Sequence, residues 1–434
     1  MIPHWEVPTP TKVQILQRTL NRKAKENPRW RAWTLYGELC RRDVLETALK
    51  AVLSNKGAAG EDRVTTEAVR ADSETFLDGL QSELKKRSYR PSPVLRVWIP
   101  KADGKTQRPL GIPTVKYRVV QTALVILLQP IFEADFHELS FGYRPGRSAH
   151  QALDAIKQAL LQGKRAVIDA DLSDYFGTIP HAGLVRLVAK RVSDSSILKL
   201  IKLFLRAPIV EEKNGKRMVQ PNRSGAPQGG PLSPLASNLY LNSLDHGVNN
   251  QPDLGATLVR FADDMVLLCI PSQKEEMQRR LREYLKRKGL RLNEGKSRLL
   301  NANQEAFQFL GFDIGMRRSH RTGTCYTHVV PSQKAQQRLR NAVRSVTATW
   351  TTWNSCTETV QRINRIVRGW SNYFHYSNCS RVFGRMQYWV RQRLRSWLWK
   401  KYDQKLSRYS FFTDDRMHGQ YRLWKMPLTA GWTR

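Results

Sequence analysis

Two aspartates stand side by side in an otherwise apolar stretch, Leu258-Val259-Arg260-Phe261-Ala262-Asp263-Asp264-Met265-Val266-Leu267-Leu268. Adjacent acids at the tip of an apolar hairpin cannot both be buried without partners, because an unpaired carboxylate away from water is costly. A second pair of acids lies upstream. If residues 166–172 form a strand, Val167, Asp169 and Asp171 share one face and Ala166, Ile168 and Ala170 the other. Two carboxylates on one face call for a cation or for full solvation. If strand and hairpin are neighbours, Asp171, Asp263 and Asp264 converge. Hard oxygen ligands of this kind suit Mg²⁺. Two such ions about 3.5–4 Å apart activate a 3′-hydroxyl and stabilise a leaving pyrophosphate in one in-line displacement. The plain alternative for Asp263 and Asp264 is a solvated turn, where Asp is common.

The elements that must position these groups are legible from pattern. Residues 258–270 read as two apolar strands around the turn Ala262-Asp263-Asp264. Residues 94–100 alternate as a strand and run into the turn Asp103-Gly104. Helices are predicted within 12–53, with Pro28 as a break, over 115–132 and over 150–161, the last stopped by Gly163. The segment 225–230 concentrates glycines around Gln228, and glycine lets backbone approach a ligand closely. Ser233-Pro234 then starts a helix, with a capping hydroxyl and Pro in the first turn, that ends near Gly247.

Up to about residue 325 the pattern is mixed α/β. Between residues 331 and 402 there are fourteen Lys/Arg and one acid, Glu358, together with six of the twelve tryptophans. Helical spacing at 360–370 and 382–399 makes this a separate, basic, helical domain.

Charge bounds the partners. The 434 residues carry 72 Lys+Arg against 37 Asp+Glu, a net +35. Such a surplus opposes compact folding unless a polyanion offsets it, and nucleic acid is the obvious one. An anionic membrane surface is disfavoured, since no run reaches ~18 uninterrupted apolar residues and no signal peptide opens the chain. The five cysteines are scattered, with no CxxC pair, which argues against a zinc ribbon or a Cys-based nuclease and fits a reducing cytosol.

With these residues in view, the sequence resembles the group II intron-encoded reverse transcriptase/maturase family. Phe261-Ala262-Asp263-Asp264 resembles the Y/F-x-D-D box of reverse transcriptases, and Asp171-Leu172-Ser173-Asp174-Tyr175-Phe176 their first aspartate motif. Residues 224–235 resemble the Pro-Gln-Gly loop as group II intron proteins write it, and the three motifs stand in family order. The likeness extends through residues 99–113, 140–148, 289–297 and 307–312, and covers roughly 50–405.

The resemblance implies an α+β right-hand polymerase, with fingers and an antiparallel palm sheet over 96–325 after an N-terminal helical extension (1–95). A helical thumb/maturase domain follows at 331–402, then a short basic tail at 403–434. It implies RNA-directed DNA synthesis from an RNA template and a DNA primer or target with dNTPs, grip on intron RNA, and no membrane. It implies two Mg²⁺ ions, with Mn²⁺ as substitute, on Asp171, Asp263 and Asp264. Lys101, Arg108, Phe176, Gln228 and Phe261 would bind nucleotide, with Phe176 excluding a 2′-hydroxyl. Lys296 would protonate the leaving pyrophosphate, and Arg365, Arg368 and Trp370 would hold RNA. For Phe176 and for the tryptophans the plain alternative is a place in the core.

The sequence departs from the family at Phe261, where Tyr is commoner, at Tyr117 between Lys116 and Arg118, where an Asp and a local salt bridge are expected, and at Gly177, where Asp is common. The setting implied is cytoplasmic, of bacterial type, with nucleoid association during mobility. Two other readings stay open: a domesticated relative in phage defence, a CRISPR locus or DNA repair, and an RNA-binding splicing factor with a relic polymerase site.

Overall fold

A computed structural model of the chain describes residues 11–100, 107–213, 216–226, 229–402 and 408–427. Two units emerge, one from the chain up to residue 156 with 168–298, the other from 157–167 with 299 onward. The charge change sets in after residue 325, but the units divide earlier, because the sheet at 307–331 packs with the helices that follow it.

The first unit begins with α1 (Lys12–Glu26), α2 (Leu35–Leu39), α3 (Arg42–Ser54), α4 (Thr66–Ala71) and α5 (Ser73–Lys85); α1, α2 and α3 pack on α6 (Val115–Glu133), and α4 and α5 pack on α3. The apolar positions of α6, among them Val119, Ala123, Leu124, Leu127 and Ile131, are buried. By length and composition α6 could cross a membrane, but 67% of the relevant window is buried inside the protein. Pro130 removes the N–H that would bond the Ile126 carbonyl. Gln17 Nε2 of α1 donates to that carbonyl at 3.0 Å instead, and Asn21 Nδ2 donates to the Pro130 carbonyl at 2.8 Å. The Tyr117 departure is absorbed without loss. Its ring is buried on Phe204, its hydroxyl donates to the Phe204 carbonyl at 3.3 Å, and Lys116 pairs with Glu83 at 2.5 Å.

The strands of this unit are β1 (Val94–Pro100), β2 (Gln107–Ile112), β3 (Ala166–Ala170), β4 (Ile209–Lys213), β5 (Lys216–Gln220), β6 (Ala256–Phe261) and β7 (Asp264–Cys269). One sheet has the order β2-β1-β4-β5; in the other β7 lies between β6 and β3. The helices are α7 (Ala149–Leu161), α8 (Tyr175–Thr178), α9 (His181–Ala189), α10 (Ser195–Leu205), α11 (Ser233–Asn249) and α12 (Lys274–Arg287).

Two boundaries differ from the pattern. The β3 ladder ends at Ala170, and Leu172 makes only an isolated bridge to Leu292. Ala166, Val167, Ile168 and Ala170 are all buried, so β3 is covered on both faces and only Asp169 breaks the run. Helix α11 runs through Gly247 to Asn249, and its cap position falls to Leu232, which puts Ser233 and Pro234 inside the first turn.

The second unit contains β8 (Arg298–Asn301) and a sheet of order β11-β10-β9, from β9 (Phe307–Phe309), β10 (Phe312–Arg318) and β11 (Cys325–Pro331). Helices α13 (Gln333–Val346), α14 (Cys356–Phe374), α15 (Ser380–Tyr402), α16 (Arg408–Phe411) and α17 (Asp414–His418) follow. The buried Phe312 ring joins sheet to helices, 5.0 Å from Phe374 and 5.8 Å from Tyr376 between centroids. All five cysteines are free, and Cys40, Cys269 and Cys379 are buried.

Candidate active site

The hairpin of β6 and β7 turns at Ala262 and Asp263, with Ala262 at φ 61° and Phe261 paired to Asp264. A left-handed alanine is uncommon and needs outside support. Arg260 supplies it. Its side chain is buried; Nε donates to Asp245 Oδ1 at 2.8 Å, and Nη2 donates to Asp245 Oδ2 at 2.5 Å and Ser140 Oγ at 2.7 Å. Nη1 donates to Asn238 Oδ1 and to the Ala262 carbonyl, both at 2.8 Å. Two elements, α11 and the 139–142 segment, thus hold the acidic turn through one guanidinium.

Asp171 follows β3 and is braced by residues 291–297. Asn293 N–H donates to the Asp171 carbonyl at 2.8 Å, and Ser297 Oγ accepts from Asp171 N–H at 3.2 Å. The same brace brings Lys296 Nζ to 3.4 Å from Asp171 Oδ2.

The electrostatics follow from this crowding. Desolvation first, then Asp263, Asp171 and Asp169, push the Asp264 carboxyl up to about 6, with Lys296 opposing. Its surface is open to water, so the shift reflects partial loss of hydration among like charges and not enclosure. Asp169 is pushed up to about 6 by burial and then by Asp171, against Arg298. Asp263 is raised by burial above all, with Asp171 adding to it. Asp169, Asp263 and Asp264 are therefore all raised in one place, with Asp171 acting on each, and Lys296 is the cation that opposes the shift at Asp264. Among the described residues no three His, Cys, Asp or Glu side chains enclose an ion by themselves. The donors nevertheless fit Mg²⁺, which takes one or two carboxylates and completes its shell with water and substrate phosphate.

Asp263 also lines a cleft of about 800 Å³ with Arg108, Leu172, Phe176, Gly229, Gly230 and Ser233. Phe176 is half-buried and outside the core, lining this cleft and a second one of about 340 Å³ on its other side. The glycine loop is fitted against it. Ala226 N–H donates to the Phe176 carbonyl at 2.8 Å, and a Cβ on Gly225 (φ 82°) would lie 2.5 Å from that oxygen. Gly229, at φ 110°, would place a Cβ 2.2 Å from the Gly111 carbonyl oxygen, so β2 and the loop close on each other only because glycine stands there. At Gly177 a Cβ would lie 2.3 Å from Asp174 Oδ2, a side-chain end that can turn away, so no backbone contact demands glycine there.

Lys101, Gln228 and the turn Asp103-Gly104 lie outside the described residues. Phe261 is half-buried at the end of β6, opposite Asp264, and does not line the cleft. Tyr143 was missed by pattern. It lines the cleft, and its hydroxyl is raised by desolvation and then by Asp263 and Asp264, while Arg108 opposes. The only signal was its place in the 140–148 motif.

In the second unit Arg365 and Arg368 are exposed on α14, with Arg368 5.8 Å over the Trp424 ring. Trp370, expected at RNA, is half-buried in helical packing. Its indole N–H donates to the Ala335 carbonyl at 3.2 Å, and its ring packs 4.8 Å from Phe374 and 5.3 Å from Phe383, so part of the side chain is taken up between the helices.

The acidic turn, the braced aspartate and the cleft lie together in the part of the chain for which relatives are known. Residues 99–314 match the family described as reverse transcriptase (RNA-dependent DNA polymerase), and residues 336–413 match the group II intron maturase-specific domain. Protein YkfC of Escherichia coli K12 is 33% identical over 378 residues, 77% of this chain and 96% of that protein. The group II intron-encoded protein LtrA of Lactococcus lactis is 30% identical over 369 residues, 70% of this chain and 60% of LtrA. An uncharacterized 91 kDa protein in the cob intron of Schizosaccharomyces pombe is 33% identical over 49% of this chain and 25% of its own length. The chain belongs to the group II intron reverse transcriptase/maturase family.

Proposed function

We propose that the chain is the RNA-directed DNA polymerase of a group II intron, and that it assists that intron's splicing and its mobility by target-primed reverse transcription. The observation that carries this is one cleft lined by Arg108, Phe176, Gly229 and Asp263, beside Asp171 and Asp264. The architecture that suits it is a right hand, with fingers and palm up to about 325 and a helical thumb/maturase domain at 331–402. The setting that suits it is the cytoplasm, with nucleoid association during mobility.

Asp171, Asp263 and Asp264 would hold two Mg²⁺ ions, or Mn²⁺, which when bound supply Lewis-acid polarisation of the phosphates and of the attacking hydroxyl. Arg108 receives the triphosphate, a role for which a guanidinium offers two parallel donors. The primer 3′-hydroxyl would lose its proton to solvent water as its oxygen attacks the α-phosphorus, the bond to pyrophosphate breaks, and Lys296 gives a proton to the leaving group. Phe176 lies under the sugar and leaves no room for a 2′-hydroxyl. Phe176→Val or Phe176→Ala is expected to raise ribonucleotide over deoxynucleotide incorporation by roughly tenfold to a hundredfold, the size of effect one group makes in a pocket. Competition between the two nucleotide kinds on one primed template checks it; an unchanged ratio in the folded variant overturns the gate.

The experiment for the whole reading is primer extension on an RNA template together with splicing of the intron transcript. Arg365→Ala/Arg368→Ala is expected to lose intron affinity and splicing assistance while keeping extension on a simple template. Wild-type binding should weaken steeply with salt, each neutralised phosphate contributing about −0.7 to −0.9 to the log–log slope. If splicing is unaffected, or the intron and an unrelated structured RNA bind equally, the maturase role fails and the protein is a polymerase recruited elsewhere.

A further inference from the structure

The loop between α13 and α14 holds two tryptophans out in solvent, Trp350 at 78% and Trp353 at 82% exposure. Trp399, at 40%, is the next most exposed tryptophan among the described residues of this unit. Single exposed apolar side chains are ordinary, but two large rings three positions apart in one short loop are not.

The loop is gripped from behind by α15. Trp397, itself buried, donates its indole N–H to Thr351 Oγ1 at 3.0 Å, between the two exposed rings. Lys401 Nζ donates to the carbonyls of Thr352 at 2.8 Å and Asn354 at 2.9 Å, and Lys400 Nζ to Thr349 Oγ1 at 3.3 Å. Arg393 closes the near end, donating to the Thr347 carbonyl and hydroxyl, both at 3.0 Å. Residues 347, 349, 351, 352 and 354 are thus tied inward, while 350 and 353 point away. A surface ordered before its ligand arrives avoids part of the ordering cost of binding.

Charge selects the occupant. Residues 331–402 carry fourteen Lys/Arg against one acid. The ammonium groups of Lys400 and Lys401 lie at the loop, where among the described residues Lys400 makes one hydrogen bond and Lys401 two of the three an ammonium can donate. Paired rings with cations beside them match bases that stack and phosphates that follow them. A neutral apolar protein face would gain nothing from the cations.

We propose that Trp350 and Trp353 form a stacking platform for unpaired RNA nucleotides, with Lys400 and Lys401 at the flanking phosphates. This rests on the reading that the C-terminal unit grips RNA, and says which feature of the RNA the loop takes.

The test uses the full chain and Trp350→Ala/Trp353→Ala, with an unstructured single-stranded RNA and a blunt RNA duplex of equal phosphate number as probes. Both are titrated by fluorescence anisotropy across a salt series. The variant is expected to lose at least about tenfold in single-strand affinity, given what one stacked base contributes. Its duplex affinity, salt slope, thermal midpoint and primer extension should stay at wild-type values. Trp350→Phe/Trp353→Phe should restore most of the lost affinity, because a flat ring returns. Single-strand affinity within twofold of wild type overturns the platform. Equal loss on both probes overturns it too, since a stacking surface discriminates between them. A variant that changes only its sedimentation behaviour would assign the rings to a second copy of the chain and likewise overturn the proposal. Arg365→Ala/Arg368→Ala in the same titration separates the two claims. If that variant loses the intron transcript while the tryptophan variant loses nothing, the grip stands and the platform falls. If wild type shows no preference for the intron but the tryptophan variant loses single strands, the platform stands and the splicing reading falls.

Discussion

Asp263→Ala and Asp264→Ala are each expected to abolish DNA synthesis on a primed RNA template while RNA binding persists. A metal ion supplies several kcal/mol of transition-state stabilisation, so losing its ligand should lower the rate by about a thousandfold or more. Binding persists because it rests on Lys and Arg elsewhere in a chain of net charge +35. Full extension by either variant would remove the acidic turn from the active site. A stability measurement gives an independent check. The Asp264 carboxyl is pushed up to about 6, from an ordinary 3.8. A raised carboxyl favours the folded state only where it is protonated, and that contribution is lost as pH rises through the folded value. Without divalent cations, Asp264→Asn should therefore melt higher than wild type above pH 6, and the gap should close as pH falls toward 4. Added Mg²⁺ should stabilise wild type and not the variant. A variant no more stable at pH 7.5 would mean that the acids are not strained against one another.

Pattern reading located what depends on local sequence. The β1 bounds, the α6 core and the acidic hairpin follow from periodicity and from two apolar runs that meet at a polar turn. What it could not locate depends on contacts between residues far apart in the chain. Nothing near Arg260 announces Asp245, Asn238 and Ser140 as its partners, since they come from another helix and another loop. The expected loss of an ion pair beside Tyr117 fails for the same reason: Lys116 finds Glu83, thirty-three positions away. The tryptophans divide in a way composition cannot give, because burial is decided by α14 packing on α13 and α15. Trp397 is buried and Trp370 half-buried among the helices, while Trp350 and Trp353 are held out by a loop that α15 ties down between them.

Arg260→Met is expected to cost about 3–5 kcal/mol of stability, the usual penalty for stripping one partner from a buried ion pair. That is a large share of the 5–15 kcal/mol typical of a folded domain. Asp245 would be left buried with no cation, and Asn238, Ser140 and Ala262 would each lose an acceptor's partner. Arg260→Lys should fall between, because one ammonium cannot span the carboxylate, the amide, the hydroxyl and the turn together. The informative variant is Arg260→Met/Asp245→Leu. Replacing both ions by apolar side chains removes the uncompensated charge and should return much of the stability. Activity should not return with it. The bond from Arg260 to the Ala262 carbonyl holds a left-handed residue in place beside Asp263, and no apolar side chain replaces that donor. The stable double variant should therefore need a higher Mg²⁺ concentration for half-maximal extension, with primer–template affinity unchanged. A purely structural Arg260 would instead give a double variant that is stable, active and unaltered in its metal requirement. That outcome would leave the turn at Ala262 held by the hairpin alone.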